Sequence, residues 1–358
     1  MRIELPISKS IANRLLILQA IHGDGLMTVS CDMPNDVRIM SEAIRLLGER
    51  REARIDLGNC GTAMRFLTAY CAQLEGQTTI LDGVERMRHR PIGQLVDALR
   101  EIGADVEYLG EEGFPPLRIK GCILDKHRIV TINNPLSTQF VSALLLIGAN
   151  VQTDSISPYI TLTREMIKNK EQGTKNKEKL LMTDQTQVTN LGSLVLAPYS
   201  EIERDWSSAA FWYEYVALHG GEIKLPGLHK GSLQGDKVVA DIFAHLGVST
   251  QYTEEGIRIY RSQVILNSKF LIQNFSACPD LYPAVALTCE RLGVELHATG
   301  VESLPLKESD RLRAVREHRT DADHRMAMAL LIAGYEVDDT ACISKSYPQF
   351  LEHFNQLQ

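Results

Sequence analysis

The chain of 358 residues lacks an apolar run of about 18 residues, the length that a membrane-spanning helix needs. It also lacks an excess of positive charge, because 38 Lys and Arg residues stand against 45 Asp and Glu residues and the formal net charge is −7. A broadly basic surface for nucleic acid is therefore not expected. The N-terminal residues do not follow a signal-peptide pattern. Together these absences predict a cytoplasmic protein with neither a membrane nor a nucleic-acid partner.

Cysteines are few, with seven in the whole chain, and they are scattered. None follows a CxxC or His-rich spacing, so we predict no zinc site and expect reduced thiols. The sequence also contains no Walker loop, no Rossmann fingerprint and no Ser-His-Asp signature. An anionic ligand of this acidic chain would therefore have to be bound by locally clustered cations.

Helical patterns alternate with short β-rich segments along the chain, which predicts an α/β fold. Two segments, 95–121 and 238–262, resemble each other. Each consists of a helix that ends at a glycine, a strand that carries a tyrosine, a Glu-Glu-Gly turn and a second strand. Because the two segments lie in different halves of the chain, they indicate an internal duplication and two domains built from repeats.

Five predicted helices begin with polar or cationic side chains, although the rest of each helix is apolar. Cations are unfavourable at a helix N-terminus, where the backbone carries positive partial charge, unless an anion lies among them. Each start alone could be a solvated cap, but five of them favour a convergent site for phosphates or carboxylates. The starts are SKSIANR (8–14), GNCGTAMR (58–65), ERMRHRPIG (85–93), NNPLSTQF (133–140) and DADHRM (321–326).

Three of these starts carry specific local expectations. Thr62 and Asp323 are predicted N-caps of their helices. Pro91 suits the first helical position. Four cationic or titratable residues are therefore expected to crowd that helix start, namely Arg86, Arg88, His89 and Arg90.

Two carboxylates lie close in sequence to further cations. Asp280 precedes an apolar helix, and Glu308 lies in PLKESDRLRAV (305–315) beside Lys307 and Arg311. Their simplest interpretation is a helix cap and a surface helix with local ion pairs. In a cation-rich cleft, however, two carboxylates could act as proton donor and proton acceptor.

Nine motifs between residues 8 and 350 together resemble the 5-enolpyruvylshikimate-3-phosphate (EPSP) synthase family of enolpyruvyl transferases. They are SKSIANR, GNCGTAMR, RHRPIGQLVDALR, STQF, PYITLT, PDLYPAVA, LKESDRL, DHRMAMAL and SKSYPQF. The resemblance implies a two-domain inverse α/β barrel fold, with each domain built from βαβαββ-type repeats. It places the shikimate-phosphate side in 9–203 and the second domain in 1–8 plus 204–358, with the active site in the cleft between them.

The resemblance also implies an activity and its residues: transfer of the enolpyruvyl group of phosphoenolpyruvate to the 5-hydroxyl of shikimate 3-phosphate, by a monomer without metal or cofactor. The implied contacts of shikimate 3-phosphate are Lys9, Ser10, Arg14, Ser137, Thr138, Gln139, Tyr159, Asp280 and Lys307. Those of phosphoenolpyruvate are Lys9, Asn59, Gly61, Arg90, Gln139, Arg311, Arg325 and Lys345. The implied catalytic residues are Asp280, Glu308, Lys9, Lys345 and His324.

The chain departs from the family pattern in length. It is short between LLGER and REARIDLGN, after LIGANVQ, and between AVREH and DADHRM. Ile156 also replaces a substrate-binding serine of the pattern, which leaves the roles of Ser155 and Ser157 open. Two alternatives therefore accompany the expected activity: the sister transferase that uses UDP-N-acetylglucosamine, and a non-catalytic anion-binding relative.

Overall fold

The computed structural model describes residues 1–182, 202–262 and 270–357. These residues fold as two compact units. The terminal unit contains Met1–Lys9, Cys31–Asn35 and the described residues of 203–358. The middle unit contains Ser10–Ser30 and the described residues of 36–202. Each unit combines helices with strands, so the predicted α/β class is confirmed.

Helices and short strands alternate in the middle unit. The helices wholly or mainly in it are α1 (Lys9–His22), α2 (Asn35–Glu49), α3 (Gly61–Ala72), α4 (Glu85–Arg88), α5 (Gly93–Glu101), α6 (Thr138–Leu146) and α7 (Pro158–Met182). Its strands are β1 (Glu52–Asp56), β2 (Thr78–Asp82), β3 (Asp105–Tyr108), β4 (Leu117–Lys120), β5 (Ile129–Thr131) and β6 (Asn150–Gln152).

A complete βαβαββ unit occupies the first part of the middle unit. Its sheet has the order β1-β2-β4-β3, in which β1 and β2 are parallel and the other pairs are antiparallel. Helix α3 connects the parallel strands, as such a crossover requires. A second parallel pair, β5 and β6, is connected by α6. Helices α3 and α6 pack against each other, and both carry buried apolar side chains such as Phe66, Leu67 and Val141.

Helices and short strands also alternate in the terminal unit. Its helices are α8 (Trp206–His219), α9 (Val239–Ala244), α10 (Tyr282–Leu292), α11 (Arg311–Glu317), α12 (His324–Ile332) and α13 (Phe350–Asn355). Its strands are β7 (Glu222–Pro226), β8 (Val248–Tyr252), β9 (Gly256–Arg261), β10 (Phe270–Asn274) and β11 (Glu295–Thr299).

The predicted duplication is present as two helix–strand–strand segments. Residues 95–121 contain most of α5 and the antiparallel pair β3 and β4, and residues 238–262 contain α9 and the antiparallel pair β8 and β9. The helices end before Gly103 and Gly247, which have φ values of 96° and 85°. Glycine adopts this left-handed backbone without the steric cost of a Cβ atom. The sequence resemblance between the two segments therefore reflects a shared local structure.

The core of the terminal unit consists of helices α8, α10 and α12. Trp212 of α8 is fully buried, donates from Nε1 to the hydroxyl of Tyr347 at 3.2 Å, and packs against Phe350 with ring centroids 5.5 Å apart. Strands β10 and β11 form a parallel pair connected by α10. In the part of the chain that the structure describes, no helix combines the length and apolar character needed to cross a membrane.

Glu214 is an exception within this core. Its side chain lies in the buried helix α8, and neither carboxyl oxygen has a hydrogen-bond partner among the described residues. Burial raises the pKa of Glu214 well above its ordinary value, so the folded chain holds a proton at this carboxyl. The unfolded chain loses that proton above its ordinary pKa of 4.5. Glu214 therefore reduces stability increasingly as the pH rises above that value.

Replacing Glu214 with methionine should stabilise the chain, because an unpaired buried carboxyl is exchanged for an apolar group of similar size. We expect Glu214→Met to raise the free energy of unfolding by about 1 to 3 kcal/mol at neutral pH. The gain should shrink towards about pH 5, because the unfolded carboxyl then also retains more of its proton. Urea denaturation at both pH values measures it. Glu101→Met, at an exposed glutamate of α5, is the matched control, and equal gains in the two variants would contradict the prediction.

Candidate active site

In the middle unit, two arginines approach the start of α3. Arg65 and Arg90 are only 4% and 7% exposed. A Cβ atom placed on Gly61 would lie 2.3 Å from Nη1 of Arg65 and 2.7 Å from Nη1 of Arg90. Both guanidinium groups thus lie against the backbone at a helix N-terminus. Only glycine leaves room for this approach, and an anion at this point would meet two cations and free N–H groups.

The start of α6 lies beside the start of α3. The Gln139 side chain donates from Nε2 to the hydroxyl of Thr62 at 2.9 Å. Ser137 caps α6, because its hydroxyl accepts a hydrogen bond from the Gln139 N–H at 3.3 Å. The predicted cap role of Thr62 was wrong: the N-cap of α3 is Cys60, whose side chain does not cap the helix, and Thr62 lies inside the first turn. Its hydroxyl holds Gln139 instead.

Arg14 of α1 is a buried cation whose contacts are neutral. It is 3% exposed and donates to the hydroxyls of Thr163 (2.7 Å) and Ser142 (3.2 Å) and to the carbonyls of Ser10 (2.8 Å) and Tyr159 (3.3 Å). Burial lowers the pKa of Arg14 to about 10. These contacts fix Ser10 and Tyr159, and they leave the positive charge of the guanidinium without a carboxylate among them. A bound anion would compensate that charge.

The expected crowding of four cations before Pro91 was wrong in part. Helix α4 ends at Arg88, and α5 begins only at Gly93. Arg88 is exposed and donates to Asp82 at 2.9 Å, and the His89 ring contacts the carbonyl of Glu85 at 2.9 Å. These pairings satisfy both side chains locally, whereas Arg90 is buried beside Gly61.

In the terminal unit, a second cluster forms where several short elements begin or end. Asp280 lies in a 3-10 turn before α10, Glu308 lies before α11, and Arg311 is the first residue of α11. Asp323 caps α12, as predicted, by accepting from the N–H of Arg325 at 2.9 Å. The cluster also includes His324 and Arg325 at the start of α12, Lys345 at the end of a 3-10 turn, Lys307, and Lys9 at the start of α1.

Arg311 connects three carboxylates of this cluster. It is fully buried and donates from Nε to Asp323 at 2.8 Å, from Nη1 to Asp280 at 2.8 Å and from Nη2 to Glu308 at 3.1 Å. Ser309 also donates to Asp323, at 3.2 Å. Each edge of the guanidinium is thus used, which a buried arginine requires.

Asp280 is held by further cations. Its second oxygen accepts from Nη2 of Arg325 at 2.9 Å, and Lys307 lies 3.4 Å from its first. Burial alone would raise the pKa of this carboxyl, but nearby positive charges outweigh burial and hold the pKa well below its usual range. Those charges belong to Arg325, Lys307, Arg311 and Lys9.

Two further groups show how burial acts at this cluster. Burial, with the nearby charges of Lys9 and Arg325, holds the pKa of His324 well below its usual value, so the ring is neutral. Neither ring nitrogen has a hydrogen-bond partner among the described residues. Burial and then the charge of Asp280 raise the pKa of Asp236 to about 6. A neutral ring and two carboxyls of different proton affinity can therefore operate near one cationic cluster.

The Glu308 carboxylate completes the terminal cluster. Lys345 lies 3.2 Å from its first oxygen, while Arg311 binds the second. Asp280 and Glu308 are thus two carboxylates on opposite branches of one arginine. Such an arrangement can bind an anionic ligand through the cations and exchange protons through the carboxyls.

Comparison with known proteins identifies the family. A family model described as EPSP synthase (3-phosphoshikimate 1-carboxyvinyltransferase) matches residues 49–318 and 315–354. The chain belongs to the EPSP synthase family. A protein of that name from Bacteroides fragilis (strain YCH46) is 37% identical over 395 residues, covering 97% of this chain and 93% of the relative. One from Cellvibrio japonicus is 30% identical, covering 99% of this chain and 96% of the relative.

The fold is that of the same family. The structure of EPSP synthase from Acinetobacter baumannii superposes with a TM-score of 0.67 at 18% identity, covering 99% of this chain and 95% of the other. The predicted enolpyruvyl transferase fold is thereby confirmed. The alignment with the Bacteroides fragilis protein, at 395 residues, is longer than the chain of 358, so that relative has residues that this chain lacks.

The residues predicted from the family motifs fall into the two clusters. In the middle unit, Arg14 contacts Ser10 and Tyr159, Arg90 lies against Gly61, and Ser137 contacts Gln139. Asn59 lies just before α3, and Thr138 is the first residue of α6. The terminal unit brings together the remaining predicted residues. Sequence reasoning missed Asp205 and Asp236, which are buried and electrostatically coupled to Arg325. Of these two residues, Asp205 has a sequence signal, because it is the N-cap of α8.

Asp323 has two structural roles that a matched pair of variants can separate. It caps α12 and neutralises the buried Arg311. Asp323→Ala should lower the free energy of unfolding by about 3 to 5 kcal/mol, because the buried Arg311 loses its one fully buried carboxylate partner and α12 loses its cap. Asp310→Ala removes only the cap of α11 and should cost about 1 kcal/mol. Urea denaturation measures both, and similar losses would refute the role assigned to the Arg311 contact.

Proposed function

We propose that this chain transfers the enolpyruvyl group of phosphoenolpyruvate to the 5-hydroxyl of shikimate 3-phosphate and releases phosphate, as a step of aromatic amino-acid biosynthesis. The observation that carries the proposal is the Arg311 network, in which two carboxylates share one cationic cluster. The relatives named 3-phosphoshikimate 1-carboxyvinyltransferase support the same reaction. Because both substrates carry several negative charges, clustered cations are the interactions that binding requires.

The middle unit is proposed to bind shikimate 3-phosphate. Arg14, whose buried charge has neutral contacts, would attract the phosphate and hold Ser10 and Tyr159 against it. The hydroxyl and amide groups at the start of α6 would complete that side, namely Ser137, Thr138 and Gln139. From the terminal unit, Lys9, Asp280 and Lys307 would contact the same substrate.

Phosphoenolpyruvate is proposed to bind at Arg90, Gly61, Asn59 and Gln139 of the middle unit and at Lys9 and Lys345 of the terminal unit. The approach of two guanidinium groups to Gly61 supports a phosphate there. Arg311 and Arg325 would bind the carboxylate, since an arginine fork matches a carboxylate plane. The family resemblance predicts that both substrates bind between two domains with boundaries near Ser8 and Glu203, and this stays a prediction.

The proposed chemistry is an addition followed by an elimination. Asp280 takes the proton of the 5-hydroxyl while the hydroxyl oxygen bonds to C2 of phosphoenolpyruvate. Glu308, which is protonated at this stage, gives a proton to C3. Glu308 then removes a proton from the methyl group of this tetrahedral intermediate, and the double bond re-forms as the C2–O bond to phosphate breaks. The proton from Asp280 leaves with the phosphate. Lys9, Lys345 and the neutral His324 would stabilise the charge that develops on the leaving group.

The proposal extends to the solution state and the location of the protein. We propose a cytoplasmic monomer. All seven cysteines are free thiols, which suits a reducing compartment. Gel filtration with light scattering would measure the mass, and a dimer would refute the monomer.

A phosphate-release assay tests the activity directly. Mixing the chain with phosphoenolpyruvate and shikimate 3-phosphate should release phosphate, with one equivalent of enolpyruvyl product. UDP-N-acetylglucosamine offered in place of shikimate 3-phosphate should give no release above background. Release only with the sugar nucleotide would assign the sister activity, and tight binding of shikimate 3-phosphate with no turnover would indicate a non-catalytic relative.

Amide substitutions test the two proton-transfer roles. Asp280→Asn and Glu308→Gln keep the shape of the side chains but remove the groups that accept and give a proton, so turnover should fall by roughly two orders of magnitude or more. Binding of shikimate 3-phosphate, measured by calorimetry, should change little. Unchanged turnover in either variant would refute the role proposed for that carboxyl.

A further inference from the structure

In the structure, the cations proposed to bind the substrate carboxylate are already bound to the two proposed catalytic carboxylates. Arg311 and Arg325 each donate to a different oxygen of Asp280, at 2.8 and 2.9 Å. Glu308 is contacted on one oxygen by Arg311 at 3.1 Å and on the other by Lys345 at 3.2 Å. Both oxygens of each carboxylate are therefore engaged by cations.

A carboxylate in such a position is a weak base. Two charge-assisted hydrogen bonds and the nearby ammonium of Lys307 stabilise the ionised form of Asp280, and the pKa of its carboxyl lies well below its usual range. A proton acceptor works best when its pKa approaches the working pH. As it stands in the structure, Asp280 is therefore poorly suited to deprotonate a hydroxyl.

The Arg311 guanidinium, by contrast, has a contact that does not depend on Asp280, and Arg325 has a donor that Asp280 does not use. Arg311 is anchored from behind by Asp323, which is fully buried and is itself fixed as the cap of α12. Arg325 is 1% exposed, and its Nη1 has no hydrogen-bond partner among the described residues. Nη1 is thus one of the two N–H sides with which Arg325 could bind a carboxylate, and Asp280 does not use it. A ligand carboxylate could accept from it without any movement of the arginine backbone.

We propose that Arg311 and Arg325 exchange carboxylates during the reaction: the carboxylate of the second substrate replaces Asp280 on the two guanidinium groups, and only this exchange makes Asp280 a competent base. The inference rests on the proposed function and adds to it a substrate-dependent activation of the base. The carboxyl of Asp280, 29% exposed at its side chain, can turn towards a ligand, whereas Asp323 cannot because it is fully buried.

The exchange has two electrostatic consequences. Losing the hydrogen bonds of Arg311 and Arg325 removes most of what stabilises the charged Asp280, and a second carboxylate nearby repels it. Both effects raise its proton affinity. The other charged or titratable groups that influence Asp280 stay in place and set the final value; they are Lys9, Lys307, Glu308, Asp205, Asp236 and Cys278.

The exchange makes the substrate's carboxylate, and not its phosphate, the activating group. The probe is phospholactate, a saturated analogue that carries the carboxylate and the phosphate but cannot undergo the addition. Isopropyl phosphate has a methyl group in place of the carboxylate and is the matched control. Both are added to the full chain saturated with shikimate 3-phosphate.

The titration midpoint of Asp280 is measured by NMR on protein that carries carboxyl-labelled aspartate. We expect phospholactate to raise that midpoint by about one to three pH units and isopropyl phosphate to leave it unchanged. The Asp280→Asn spectrum assigns the signal. Asp310, an aspartate that caps the neighbouring helix α11, should keep its midpoint with either probe.

Calorimetry gives a second readout that needs no variant. If the proton affinity of Asp280 rises, phospholactate binding measured at a pH near the raised midpoint should take up protons, seen as a binding heat that depends on the buffer, and isopropyl phosphate should take up fewer. Binding of phospholactate with an unmoved Asp280 midpoint and no proton uptake would overturn the exchange but leave the proposed function standing. Failure of phospholactate to bind, together with no phosphate release from the true substrates, would overturn both.

Discussion

The cluster of the terminal unit depends on the ion pairs that the buried guanidinium of Arg311 makes. A buried cation is tolerated only when carboxylates and hydrogen bonds compensate its lost hydration. Arg311 meets that requirement with Asp323, Asp280 and Glu308, which come from a helix cap, a 3-10 turn and the segment before α11. The need to compensate one charge therefore fixes three separate parts of the chain relative to each other. The proposed acid and base acquire their positions from that requirement.

The apolar bodies of the helices hold these polar residues in place. Helix α12 begins with His324 and Arg325 and continues as a fully buried apolar segment through Leu330. Helix α3 follows the same plan, with Gly61 and Arg65 at its first turn and Phe66 in the core. Burial of the apolar part anchors the helix, and its N-terminus then offers free N–H groups in a fixed position. The polar starts that look unfavourable in sequence are thus attached to the most firmly packed segments.

Sequence patterns predicted what depends on neighbours along the chain and missed what depends on distant contacts. The α/β class, the two duplicated helix–strand–strand segments and the cap role of Asp323 follow from local periodicity and turn residues. The bond between Asp280 and Arg325 joins residues 45 positions apart, and no local pattern indicates it. Thr62 was predicted to be a cap because nothing in the neighbouring sequence indicates its actual partner, Gln139, which lies 77 residues away. Arg88 is a different case, because its partner, Asp82, lies only six positions before it and the missed contact is local.

Two connections in the chain are short, and one of them ends at Asp323 of the terminal cluster. Between α2 and β1 only Arg50 and Arg51 intervene, and only residues 318–323 separate α11 from α12. Both gaps are too short for a pair of strands. The clustered side chains, however, lie at helix starts and 3-10 turns, and the helices that carry them keep their buried faces. Because these positions are set by helix packing and by the Arg311 contacts, a repeat can lose strands while the arrangement of cations and carboxylates persists.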